Sequence, residues 1–251
     1  MGALTTVKYF VEVVENPVLT TLELDSLKRV GVDENGKCDQ STCKDAGALT
    51  VGRTGGQNAL TGTLNLGNLE TVGGHVSVDE ESDMETLDLS SLTTVGQHLD
   101  VHNCNSMTEL KLGALKTVNG QTHLSSNAML ATLNLDSLET VGHNMAYDLA
   151  GNLMVADNPA LTEFTANKLT SVDGALEVEE NGELTKVEMG LLETVGSWFE
   201  FEGNGKLDTV GLGSLNQVGG HVEFEKNPAL KQINLPALAS VEQYCKVGLQ
   251  Q

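Results

Sequence analysis

The chain has 251 residues, 35 of them acidic and 14 basic, and its formal charge of −21 sets it against nucleic acid, anionic lipid and polyuronate, all of them polyanions. No apolar run reaches the ~18 residues that a membrane-spanning helix needs, so no transmembrane segment is expected. Aromatic residues make up only 4%, and the Leu and Val that replace them suit a narrow core without a large cavity.

Residues 1–3 run straight into Leu4-Thr5-Thr6-Val7, which matches the middle of a unit that recurs down the chain. A natural start would cap such a stack, so the sequence reads as a processed or recombinant fragment whose signal peptide and cap are missing. Residues 4–16 form a partial unit with Val11 and Val13 facing inward, and residues 17–30 continue it through Leu22, Leu24 and Leu27. An excursion at residues 31–48 follows. It carries Cys38 and Cys43 in Cys-Asp-Gln-Ser-Thr-Cys, a small polar loop whose cysteines point to a disulfide made in an oxidising compartment. Metal binding there is the weaker reading, because no second pair or nearby His completes four ligands. Leu49-Thr50-Val51 resumes the unit ahead of a Gly-rich run at residues 52–58. The repeat is regular from Leu64 to Leu138, is interrupted by a second excursion at residues 142–151, and is regular again to Val247.

The beat of the repeat is set by two apolar columns. Leu64, Leu87, Leu110, Leu133, Phe164, Val187, Val210 and Ile233 recur every 23 residues with one step of 31, and Val72, Val95, Val118, Val141, Val172, Val195, Val218 and Val241 keep the same interval. A fixed period in this range marks a solenoid, in which each unit buries its apolar side only against its neighbours. Within a unit, Leu99-x-Val101 and Leu110-x-Leu112 alternate as short strands do, and Gly-rich pairs break nearly every turn. The expected fold is therefore all-β: one domain over residues 1–251, a parallel β-helix of about ten coils forming a rod roughly 45 Å long. A further column, Asn16, Glu81, Cys104, Asn127, Asn158, Asn181, Asn204 and Asn227, falls three residues after an inward apolar position and reads as an internal Asn ladder. Cys104 then stands in for Asn as a buried free thiol. Cys245 is expected to be free and inward too.

The phrase Asn158-Pro-Ala-Leu161-x-x-Phe164-x-x-x-x-Leu169-x-x-Val172-x-Gly174-x-Leu176-x-Val178 resembles the receptor L-domain repeat. That leucine-rich-repeat relative occurs in insulin and epidermal growth factor receptors and in fungal and protist surface proteins. The resemblance implies a right-handed β-helix, in keeping with the usual hand of parallel crossovers, and a protein that binds rather than catalyses.

Three outward surfaces are candidates for function. Glu177 and Glu179, Glu200 and Glu202, and Glu223 and Glu225 occupy equivalent positions in three successive coils. Stacking would set like charges about 5 Å apart, a repulsion on the order of 1 kcal/mol per neighbour in water. Folding does not need that repulsion. A solvated face, a basic partner protein and a divalent cation such as Ca²⁺ all remain open as readings. Earlier coils put His75, His98, Asp100, His102 and His123 on the same side, a set able to hold a transition metal or to sense pH. Thr6, Thr71, Thr94, Thr117, Thr140 and Thr194, with Ser171 and Ser240, form a hydroxyl file that raises ice binding as an alternative. Catalysis finds little support: there is no nucleophile elbow or phosphate loop, and the two arginines, Arg29 and Arg53, cannot face an anionic polysaccharide in strength. The expected function is a non-enzymatic extracellular or cell-surface binding and scaffold module, adhesion-like, using the acidic face and the two side loops. A metal-dependent enzyme or metal-binding protein using the His-rich face is the alternative from another class.

Overall fold

The computed structural model describes residues 4–33, 47–52, 58–142 and 151–248. Among these there is no helix, and the named strands pair in parallel. Each regular coil contributes three strands, as in Thr94–Val95, Leu99–His102 and Glu109–Lys111. Stacking them produces two continuous ten-stranded sheets and a third face divided into sheets of three and five strands. Ten rungs amount to about nine turns of solenoid, close to the expected number of coils.

Side-chain alternation explains how so narrow a coil is filled. In Leu99–His102 the residues alternate between buried and half-buried, and the inward Leu99 and Val101 are wholly buried. Beneath the glutamate strands the same inward positions hold Phe199, Phe201 and Phe224, whose ring centroids lie 5.1 to 5.8 Å apart. That packing gives the outer face a stiff backing. The third face is less regular than its apolar column implies. Glu109–Lys111 and Thr132–Asn134 are not joined by ladder hydrogen bonds, and a groove of about 330 Å³ opens there.

The Asn ladder exists and runs through the core. Each amide oxygen accepts the backbone N–H of the ladder residue one coil earlier, as in Asn158 to Asn181 at 3.1 Å and Asn204 to Asn227 at 2.9 Å. Its own NH₂ donates to a strand carbonyl, as from Asn181 to Val155 at 2.9 Å. The column also includes Asn58, which donates to Val13 O and to Glu81 Oε1. The residue before the ladder position is left-handed in Glu15, Glu80, Asn103, Ser126, Asp157, Glu180 and Lys226, with φ between 51° and 58°. Such a backbone costs a non-glycine residue roughly 1–2 kcal/mol, and where the ladder residue is Asn its hydrogen bonds offset it; at Glu81 the buried Oε2 has no partner.

Cys38 and Cys43 lie outside the described residues, as do most of the two excursions. Cys104 is buried, and burial pushes its thiol up to about 12, so it is inert at neutral pH. Cys245, expected inward, is exposed. It sits on the last described rung, Cys245–Val247, where no later rung covers it.

Candidate functional site

The outer side of the second ten-stranded sheet carries both the glutamates and the histidines. Strict parallel register converts each sequence column into a row of side chains. Glu177 lies beside Glu200, Glu200 beside Glu223, and Glu223 beside Lys246; Glu179, Glu202 and Glu225 form the second row. The six carboxylates are thus gathered into one grid, as the repeat implies.

The grid is only partly neutralised by its own chain. Lys246 Nζ lies 2.9 Å from Glu223 Oε1 and 2.5 Å from Glu225 Oε1, and Lys226 pairs with Glu202. Trp198 Nε1 donates to Glu177 Oε1 at 2.8 Å, and His221 Nε2 is 2.5 Å from Glu200 Oε1. The hydrogen bond from Lys246, reinforced by its charge, holds the Glu223 carboxyl below its usual range. Burial raises Glu177, and the neighbouring Glu200 adds to the shift. Glu179 rises furthest. Burial, then the charges of Glu177, Glu200 and Glu202, push its carboxyl up to about 7.

The histidine half has a different electrostatic character. Asp100 lies in register with His123 and Ser77 on the adjacent rungs, with His98 and His102 flanking it along its own strand. Burial raises the Asp100 carboxyl, while the imidazoles of His98, His123, His102 and His75 pull it back down. Burial lowers His75 and His123 against the opposing pull of Asp100, which favours neutral rings. His102 Nδ1 lies 2.8 Å from Asp79 Oδ1 and its ring stacks on His123 at 5.7 Å. His98 Nδ1 accepts the Gln121 N–H at 3.0 Å, and His75 Nε2 is 3.4 Å from Thr50 Oγ1. These local partners disperse the ring nitrogens, and the five residues do not bring their ligand atoms within 4.8 Å of one another. Among the described residues one group does, and it was not singled out from the sequence: Glu200, His221 and Glu223. The signal was nonetheless present, since Val-Gly-Gly-His occurs at residues 72–75 and again at 218–221.

The hydroxyl file keeps register from Thr71 through Thr94, Thr117, Thr140 and Ser171 to Thr194. Arg29 interrupts it after Thr6, and Gln217 before Ser240. Comparison with known proteins gives no match: no family model, no curated protein and no solved structure corresponds to this chain.

Proposed function

We propose that this protein is a non-enzymatic binding and scaffold module, a β-helix of the receptor L-domain type acting outside the cell or at its surface, whose acidic face receives a Lys/Arg-rich segment of another protein. The observation that carries this reading is Glu179, held at about 7 within a grid whose lysine partners, Lys226 and Lys246, are bonded to other carboxylates. Like charges fixed in rows by a rigid sheet are costly to the fold alone, and a cationic segment laid along them would relieve that cost. The likeness to receptor L domains supports a binding role by analogy only.

The test is fluorescence anisotropy with a labelled oligolysine peptide in the presence of a chelator. Saturable binding that weakens as salt rises is expected, and replacing all six glutamates by Gln should abolish it. Salt-insensitive binding, or binding that survives the six replacements, sinks this reading and moves the surface to the excursions at residues 31–48 and 142–151. A second reading, metal binding or metal-dependent chemistry at His75, His98, Asp100, His102 and His123, is favoured by one half-buried carboxylate, Asp100, in register with His123 and within the electrostatic reach of the other three imidazoles. A Co²⁺ absorbance titration tests it, and a spectrum unchanged by replacing Asp100 with Asn removes it.

A further inference from the structure

We propose that Glu200, His221 and Glu223 form a binding site for a divalent transition metal, with Zn²⁺ the ion that the ligand set fits. The site shares two carboxylates with the acidic face but does not depend on that face receiving a peptide.

Two adjacent rungs build it. Glu200 and Glu223 are register partners on neighbouring strands, and His221 stands two residues before Glu223, so all three side chains project from the same side of the sheet. One ligand atom from each lies within 4.8 Å of the other two, and all three residues are half-buried. The imidazole is held in place by its neighbours along the solenoid. Its ring is nearly parallel to Tyr244, 4.6 Å away with an interplanar angle of 7°, and to Trp198, 6.3 Å away at 9°. Stacking on both sides favours this ring plane, and its Nε2 is already directed at the Glu200 carboxylate. Tyr244 adds an outer contact, donating its O–H to Glu223 Oε2 at 3.2 Å.

The chemistry of the donors selects the ion. One imidazole nitrogen and two carboxylates are the mixed N/O set that Zn²⁺ accepts, with a fourth position left to water. Ca²⁺ wants six to eight oxygens, and two carboxylates on a flat sheet fall short of that shell. The chain already places a cation at this corner: Lys246 Nζ contacts both Glu223 and Glu225. A metal binding Glu223 displaces Lys246 from that carboxylate and leaves it on Glu225. Lys246 is thus a built-in competitor, and its removal should strengthen metal binding. A purely structural ion pair predicts no such gain.

The experiment uses the full chain freed of metal by chelation, titrated with ZnCl₂ against a chromophoric chelator, without peptide. One equivalent is expected to bind. His221→Gln should weaken that binding by more than about tenfold, the least that loss of a ligand should cost when loss of an outer-shell contact costs 10–100-fold. Lys246→Met should tighten it severalfold, and melting of each metal-free variant reports whether the fold is retained. Wild-type protein that binds no Zn²⁺, His221→Gln protein that is folded and binds with wild-type affinity, or Lys246→Met protein that is folded and binds no more tightly would each overturn the proposal. So would Ca²⁺ binding as tightly as Zn²⁺ and unaffected by the His221 change, which would assign an all-oxygen site. Because the peptide assay runs in chelator and this one without peptide, either proposal can fail without the other.

Discussion

Replacing Glu179 by Gln removes a charge that burial, and then the neighbouring carboxylates of the grid, both disfavour. In the folded chain this carboxyl titrates at about 7 against an ordinary value of 4.5. The folded state therefore holds a proton that the unfolded state releases. Stability contributed by Glu179 is fully present below pH 4.5 and is lost as pH rises through about 7. At 1.36 kcal/mol per pH unit, the gap sets an upper bound of about 3 kcal/mol. The side chain is partly exposed, and solvent screening reduces the expected effect to roughly 1–2 kcal/mol.

The wild-type profile alone cannot be read this way, because other groups titrate in the same range. Glu81, Asp100 and Glu177 are also raised and slope in the same direction, whereas His75 and His123 are lowered and stabilise as pH rises. The difference between variant and wild type removes the contributions of Glu81, Asp100, His75 and His123, and keeps only the part of Glu177 that is coupled to Glu179. Urea denaturation at pH 4.5, 6 and 8 should show Glu179→Gln gaining relative stability with each step, by ~1–2 kcal/mol in total. Two parallel profiles across that range would refute the reasoning.

Two further outcomes follow from the core. Asn181→Ala leaves the Asn158 N–H and the Val155 carbonyl without their partner in a fully buried column, so denaturation should reveal a loss of about 2–5 kcal/mol; a loss below ~1 kcal/mol would show that the ladder is not structural. In the native protein an alkylating reagent at pH 8 should modify Cys245 rapidly and leave Cys104 intact, as peptide mapping can establish, because one thiol is exposed and the other is buried and held at about 12.

The grid was legible in the sequence because a solenoid maps intervals onto neighbours. Residues 23 apart become residues side by side, so Glu177, Glu200 and Glu223 had to form a row once the strands were parallel and in register. Reach across the rows was not legible. It depends on side-chain direction, which the repeat does not encode, and so the contacts of Lys226, Lys246, Trp198 and His221 with the glutamates emerged only from the structure. Asn58 escaped notice for a simpler reason: the Gly-rich run after Val51 moves it seven residues beyond its inward valine, where Asn16 follows Val13 by three. The break on the third face left no trace either, since Leu110 and Leu133 continue the apolar column without interruption.

The excursions obey the same register, and this makes one of them removable. Both interrupt a Val-Gly-Gly turn between its two glycines: Val30-Gly31 resumes at Gly47, and Val141-Gly142 resumes at Gly151, where the uninterrupted turn reads Val72-Gly73-Gly74. The bases are closed. A Cβ built on Gly142 would fall 2.3 Å from Gly151 Cα, and the coil's bonds continue on either side, from Gly142 N to Val118 O at 2.8 Å and from Gly174 N to Gly151 O at 3.2 Å. Excising residues 143–150 therefore yields Val141-Gly142-Gly151-Asn152-Leu153 and restores the 23-residue interval. The shortened chain should unfold cooperatively with a Tm within about 4 °C of wild type, equivalent to ~1 kcal/mol at this length. A larger fall would mean that the excursion contributes packing the coil needs. With the fold retained, the oligolysine assay then tests whether the excursion takes part in docking, since the rung that follows it, Leu153–Ala156, is next to Leu176–Glu179. Undiminished affinity confines docking to the glutamate rows, and a clear loss extends it across the neighbouring turn.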